Sequence, residues 1–227
     1  MNQYSTNKVF FPDPKSASPD GLLAYGGDLS PQTLLTAYST GIFPWYQEGS
    51  PILWWSPDPR MVLFPDQFKV SDSLNRLVKK DKFEVKFDQD FEGVIRNCAS
   101  VSRDGDDETW ITEDMIKAYC DLHLQGYAHS VESYYKGQLA GGLYGLSIGK
   151  AFFGESMYYH ERDASKVAFY WLMQKVKKWE FYFVDAQVET GHLESLGAEN
   201  ISRERYLEIL KKAVGEPSVT GNWNNID

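Results

Sequence analysis

Two cysteines and four histidines are the whole stock of thiol and imidazole metal ligands in this chain, and neither set is spaced to hold a metal. Cys98 and Cys120 lack a metal-ligand spacing and read as two reduced, helix-borne core thiols. His123, His129, His160 and His192 are dispersed, with His123 a half-buried neighbour of Tyr119 on a helix, so no zinc constellation is expected. No Gly-x-Ser-x-Gly turn occurs, which leaves a serine-hydrolase triad without support. Gly141, Gly142, Gly145 and Gly149 are not followed by Lys-Ser/Thr, so they fit strand bulges or a hairpin better than a phosphate-cradling loop. No apolar run approaches the roughly 18 residues of a membrane span. Met1 to Phe10 hold no apolar stretch of signal-peptide length, so a soluble, cytoplasmic protein is expected, and a monomer. Basic charge is also short: 23 Lys and Arg face 32 Asp and Glu, a net charge of −9. That balance argues against indiscriminate coating of nucleic acid, where phosphate contacts supply most of the affinity. Local basic runs survive it, with six Lys/Arg against three acids in 69–86 and four Lys with no acid in 164–179. The stretch 103–114 is the reverse, with six acids and one Arg. Taken singly, each run fits a solvated helix face.

Proline is almost absent after residue 65, since nine of the ten lie in the first 65 residues. The N-terminal stretch is therefore loop-rich and locally rigid, and the expected division is a small domain over 1–63 and a larger one over 64–227. Within the first, Ser30-Pro31 opens a short helix that Gly41 ends, and the prolines that follow hold Trp45, Tyr46, Trp54 and Trp55 on constrained loops. From residue 69 helices and strands alternate. Strands are expected near 128–135, 138–148 and 151–156, a long helix from Asp163 to Trp179, a strand from Phe181 to Asp185 and a last helix from Ser202 to Ala213. The fold class is α+β with a central, largely antiparallel sheet, and the tail after Gly215 is expected to be loosely ordered.

Two segments break the pattern of plain core strands. In Phe152-Phe153-Gly154-Glu155-Ser156-Met157 a carboxylate sits inside a run that otherwise reads as buried, beside a glycine that leaves room for close approach. In Phe181-Tyr-Phe-Val-Asp185-Ala-Gln187 an apolar strand ends in an acid and an amide, which period-two alternation sends to one face. Singly, Glu155 fits an ion pair with a Lys or Arg and Asp185 fits a helix cap. Together they offer acceptors that could receive a protonated amine and guide it toward an electrophile, as aminolysis of an ester requires.

Eight strings in order carry a resemblance that covers nearly the whole chain: Asp20-Gly-Leu-Leu-Ala-Tyr-Gly-Gly-Asp-Leu-Ser30, Gly41-Ile-Phe-Pro-Trp45, Ile52-Leu-Trp-Trp-Ser-Pro-Asp-Pro-Arg60, Thr109-Trp-Ile111, Ala128-His-Ser-Val-Glu132, Gly154-Glu-Ser-Met157, Asp185-x-Gln187 and Ser195-Leu-Gly-Ala198. The set resembles the leucyl/phenylalanyl-tRNA–protein transferases. The resemblance implies a small N-terminal domain and an N-acetyltransferase-like C-terminal domain. It implies transfer of Leu or Phe from aminoacyl-tRNA to proteins beginning with Arg or Lys, which marks them for degradation. By the same resemblance Asp185 and Gln187 orient the incoming amine, Glu155 holds the cationic acceptor, and Trp45 and Trp110 hold the 3′-terminal adenosine. Leu143, Phe152, Leu172 and Val176 fall at positions lining the aminoacyl side-chain pocket, with Gly154 and Ser156 beside them. Such an apolar pocket rejects charged side chains but separates Leu from Met only weakly, so some tolerance of Met is expected. Charge alone nominates Arg76, Lys79, Lys80, Lys175, Lys177 and Lys178 for acceptor-stem phosphates. The aminoacyl ester is already activated, so no cofactor, ATP or metal is expected. Tyr158-Tyr159 and Ala186 depart from the family's pattern, and Tyr159 is expected to narrow the pocket. An acetyl-CoA-dependent enzyme would need a Gly-rich pyrophosphate loop between Gly154 and Asp163, which is missing. A non-catalytic aromatic-rich binding module would leave the acceptors at two strand ends unexplained.

Overall fold

A computed structural model describes residues 10–101 and 109–226, so the first nine residues and the first half of the acidic run at 103–114 lie outside the described residues. In chain order the elements are β1 (Leu22–Tyr25), α1 (Pro31–Ser39), β2 (Phe43–Pro44), β3 (Leu53–Trp55), β4 (Arg60–Leu63), α2 (Asp72–Lys79), β5 (Glu84–Phe87), α3 (Phe91–Ser100) and α4 (Glu113–Leu124). There follow β6 (Ala128–Tyr135), β7 (Gln138–Ile148), β8 (Ala151–Tyr159), α5 (Ala164–Lys178), β9 (Phe183–Gln187), α6 (Gly191–Ser195), β10 (Glu199–Ile201) and α7 (Arg203–Ala213). Among the described residues no helix is long and apolar enough to cross a membrane.

Local chemistry sets the helix starts. Ser30, Ser71, Asp90, Thr112, Thr190 and Ser202 each accept a hydrogen bond from the backbone N–H three residues on, satisfying a donor the helix leaves open. The small N-terminal unit is α1 with a three-stranded sheet ordered β1-β3-β2. The larger unit carries a seven-stranded sheet ordered β10-β4-β9-β8-β7-β6-β5, antiparallel throughout except for the parallel pair β8 and β9. This is the α+β arrangement with a central, largely antiparallel sheet that was expected. The strand Arg60–Leu63, grouped with the N-terminal unit by its prolines, pairs inside the large sheet between β9 and β10.

One face of the sheet packs on α5 through Leu143, Phe152, Phe169, Leu172 and Val184. The other packs on α1, α3, α4 and α7 through Tyr38, Val94, Tyr119, Phe153 and Tyr206, so both units share one apolar core. Cys98 on α3 is buried and Cys120 on α4 half-buried, and neither is in a disulfide. His123 stacks on Phe91 at 4.5 Å and meets the Ala128 carbonyl through Nδ1, and Gly149 turns the β7–β8 hairpin with φ +59°.

The tail after Gly215 is not loose. Trp223 exposes none of its surface, and Trp223 N–H donates to Asp88 at 2.7 Å while Lys175 Nζ donates to the Trp223 and Ile226 carbonyls. Gly, Pro, Ser and Asn make that stretch read as loop, and one Trp outweighs them because burying so large an apolar surface offsets the cost of ordering a short strap.

Candidate active site

Parallel pairing between β8 and β9 ends at Phe153↔Asp185, and both strands run on beyond it. Each carries a one-residue bulge at the opening. On β8, Gly154 faces Gly145 and Ser156 faces Tyr144, so Glu155 is the extra residue. On β9, Asp185 faces Val62 and Gln187 faces Met61, so Ala186 is the extra residue. A bulge re-aims side chains and interrupts alternation. Across the bulge the side chains of Asp185 and Gln187 still reach one buried network, Asp185 meeting Arg60 and Tyr206 and Gln187 meeting Glu155 beside Tyr38 and Tyr119.

Asp185 turns into the core shared with the N-terminal unit, where it is 0% exposed. Its Oδ1 accepts from Arg60 Nε and from Gln187 N–H, both at 2.9 Å. Its Oδ2 accepts from Arg60 Nη2 at 2.7 Å and from the Tyr206 hydroxyl at 2.6 Å. Arg60 is itself buried, with its guanidinium over the rings of Phe43 and Tyr206 at 4.7 and 4.6 Å. Burial alone would lower the Arg60 pKa, but the charge and hydrogen bonds of Asp185 outweigh it and hold the value above the ordinary one. Every strong acceptor direction of the Asp185 carboxylate is thus in use. One of those bonds fixes Gln187, whose φ of +65° lies in the left-handed region that non-glycine residues seldom adopt.

So held, Gln187 Nε2 donates to Glu155 Oε1 at 2.8 Å across the strand opening. With its nitrogen engaged, the amide presents its carbonyl oxygen to an incoming N–H. Among the described residues Glu155 has no Lys or Arg partner; it meets Tyr38 of α1 at 2.7 Å and Tyr119 of α4 at 3.1 Å, and the two phenols also meet each other. Removal from solvent raises the Glu155 pKa to about 7, and the hydrogen bonds from Tyr38, Tyr119 and Gln187 offset only part of the rise. Burial, then the charge of Glu155, hold both phenols well above their ordinary pKa, so each keeps its proton. Three mutual contacts among three groups need three protons, and two phenols supply two. The closed triangle therefore describes Glu155 in its protonated form, and ionisation must open one contact.

Glu155, Gln187 and Asp185 stand at the wall of a cavity of about 550 Å³. Trp45, Trp110, Leu143, Phe152, Gly154, Ser156 and Leu172 line it, so the opening gathers nearly the whole sequence-derived set. Leu143, Leu172 and Phe152, the last exposing no surface to water, give it apolar walls. Val176 does not reach the lining: it is fully buried in the same apolar cluster, behind the wall. Tyr159 does not narrow the cavity either, being 59% exposed and outside the lining, while Ala186 is part of it. Unforeseen wall residues include Phe43, Met157, Phe169 and His192, and the unforeseen polar partners are Arg60, Tyr38, Tyr119 and Tyr206. Of these only Arg60 had a visible signal, a cation opening the apolar run Met61-Val-Leu-Phe64. Among the described residues no group of three or more His, Cys, Asp or Glu is arranged to hold a metal ion.

The family model described as leucyl/phenylalanyl-tRNA protein transferase matches residues 62–211, and the model of that family's N-terminal domain matches residues 27–58. The chain belongs to the leucyl/phenylalanyl-tRNA–protein transferase family. A leucyl/phenylalanyl-tRNA–protein transferase of Maridesulfovibrio salexigens is 56% identical over 214 residues, 94% of this chain and 89% of that one. One from Legionella pneumophila is 49% identical over 221 residues, 97% of this chain and 98% of that one. Solved structures with a looser likeness include a ribosomal-protein-alanine N-acetyltransferase of Brucella melitensis, at TM-score 0.35 and 15% identity over 56% of this chain and 89% of that one. As a leucyl/phenylalanyl-tRNA–protein transferase family member the protein is a transferase, and its fold brings the acid–amide pair of β9 against the bulged carboxylate of β8.

Proposed function

We propose that this transferase moves Leu or Phe, and Met more weakly, from aminoacyl-tRNA to the N-terminal amine of a protein beginning with Arg or Lys. The observation that carries the proposal is the meeting of an apolar-walled cavity with Glu155 and Gln187 at the strand opening, beneath Trp45 and Trp110. The two indoles offer flat faces suited to the terminal adenine, Trp45 being 47% exposed. The aminoacyl side chain enters between Leu143 and Leu172. The acceptor ammonium, with a pKa of about 7.7–8.0, meets the Gln187 carbonyl oxygen and Glu155. Ionised Glu155 attracts the cationic acceptor and takes one proton from its nitrogen. The free amine attacks the ester carbonyl, the C–N bond forms, the bond to the ribose oxygen breaks, and a second proton of the nitrogen ends on that oxygen. Asp185 serves by holding Gln187, because its own acceptor directions are filled from within.

The test pairs labelled Phe-tRNA with an Arg-initiated peptide, with labelled acetyl-CoA and the same peptide in parallel. Transfer of Phe and none of acetyl is expected; acetyl transfer alone, or no transfer, overturns the proposal.

A groove of about 580 Å³ adjoins the cavity and shares His192 with it. Arg76 and Lys80 of the expected phosphate set line it, joined by Lys69 and Lys166. Lys175 is used inside the fold, over the Phe87 and Trp179 rings and against the strap carbonyls, and Lys177 pairs with Asp66. Lys177 and Lys178 stand at the other end of α5 from Lys166, roughly 18 Å away at helical rise, and Lys79 lies on α2 outside the lining. The acceptor stem is thus assigned to the groove. Replacing Lys69, Arg76, Lys80 and Lys166 by Glu should weaken tRNA binding at low salt at least about tenfold and flatten its salt dependence. Binding unchanged between low and high salt, measured by filter retention, removes this assignment.

A further inference from the structure

The strap from Ser218 to Ile226 contributes no residue to the cavity lining, yet its one large side chain, Trp223, packs against Phe152, which does line the cavity. Ser218 Oγ accepts from Gly149 N–H at 2.8 Å, Gly221 N–H donates to the Gly126 carbonyl at 3.3 Å, and Asn222 Nδ2 donates to the Asp88 carbonyl at 3.1 Å. Those ties fix Trp223, whose ring stacks on His129 at 3.9 Å and 12° and meets the edge of Trp179 at 5.0 Å. It also meets the edge of Phe181 at 6.2 Å and, at a tilt of 42°, Phe152 at 5.8 Å between ring centroids. On the far side Phe152 is confined by β7, since even one Cβ added at Gly145 would come within 2.7 Å of its ring. Phe152 is therefore clamped between a glycine that admits it and a tryptophan that stops it from retreating.

We propose that Trp223 is a specificity-determining positioning residue, which sets the depth of the side-chain pocket by holding Phe152 in its wall. This rests on reading the cavity as the aminoacyl pocket. Interiors are close-packed, so Phe152 has nowhere to go while Trp223 is in place. Truncating Trp223 leaves an apolar void lined by Phe152, Trp179 and Phe181, into which the Phe152 ring can tip. The pocket then deepens, which favours a phenyl group over an isobutyl group.

The experiment measures kcat/KM for Leu-, Met- and Phe-tRNA with wild type, Trp223→Ala and Trp223→Phe, with thermal melting in parallel. Trp223→Ala should raise the Phe-to-Leu ratio about three- to tenfold, mainly through KM, somewhat less than the roughly tenfold or more that a whole methylene commands in an apolar pocket. Trp223→Phe should shift it less. Added indole should refill the void in Trp223→Ala and return the ratio toward wild type, as apolar cavities accept small aromatic guests. A strap that serves stability alone lowers the melting temperature and slows all donors equally. An unchanged ratio in folded Trp223→Ala overturns the inference; if that variant does not fold, an unchanged ratio in Trp223→Phe does so. Wild type that transfers none of the three overturns the pocket reading itself, and this inference with it.

Discussion

Arg60→Met will destabilise the protein by about 3–5 kcal/mol and abolish transfer, because it leaves the Asp185 carboxylate buried without its counter-ion. Both partners are almost wholly withdrawn from water, at 1% and 0% side-chain exposure. The remaining donors to Asp185, the Tyr206 hydroxyl and Gln187 N–H, are neutral and do not replace a bidentate guanidinium. The double variant Arg60→Met with Asp185→Leu separates the two consequences. Replacing a buried ion pair by apolar side chains of similar volume is often neutral or stabilising, so much of the lost stability should return. Activity should not, since Gln187 loses the acceptor that holds its left-handed backbone and aims its amide at Glu155. Denaturant unfolding and single-turnover transfer check the two halves. A single variant that loses less than about 1 kcal/mol removes the buried-charge argument. A fully active double variant removes the positioning role of Asp185.

This network also marks the limit of what the sequence discloses. Glu155, Asp185 and Gln187 stood out because a polar residue in an apolar strand is conspicuous in one dimension. The strands near 128–135 and 138–148 and the long helix after Asp163 were equally legible, because their apolar periodicity runs for many residues. Arg60 was harder, since its partner is 125 positions away and a cation at a strand start resembles any surface charge. Tyr38 and Tyr119 carried no signal at all: on amphipathic helices a tyrosine reads as core, and only the packing of α1 on α4 shows both hydroxyls turned to one carboxylate. The bulges at Glu155 and Ala186 were invisible for another reason. A bulge is a mismatch between two strands, so neither strand's own alternation records it. Trp223 was missed in a different way, because loop-forming neighbours masked a residue that packs as core.

Glu155→Gln will remove the acidic limb of the pH–rate profile and lower transfer by about a hundredfold or more, the range in which a positioned proton acceptor acts. In wild type, the rate at saturating donor should rise through pH about 7, where Glu155 ionises, and approach a plateau once the acceptor amine is also free. Stability must run the other way over the same interval. The folded-state pKa of about 7 lies above the ordinary carboxylate value, so between the two the native state holds a proton that the unfolded chain has released. The contribution of Glu155 to stability is therefore greatest below the unfolded pKa, falls as pH rises toward about 7, and levels off above it. Melting curves should show Glu155→Gln gaining on wild type as pH is raised from 5 to about 8.5, while its activity is lowest relative to wild type at the alkaline end. The same proton that closes the Glu155–Tyr38–Tyr119 triangle blocks the acceptor, so catalytic readiness and stability oppose each other at one carboxyl group. A variant that keeps the wild-type pH–rate profile would show that the proton leaves by another route, and would reduce Glu155 to an electrostatic anchor for the cationic acceptor.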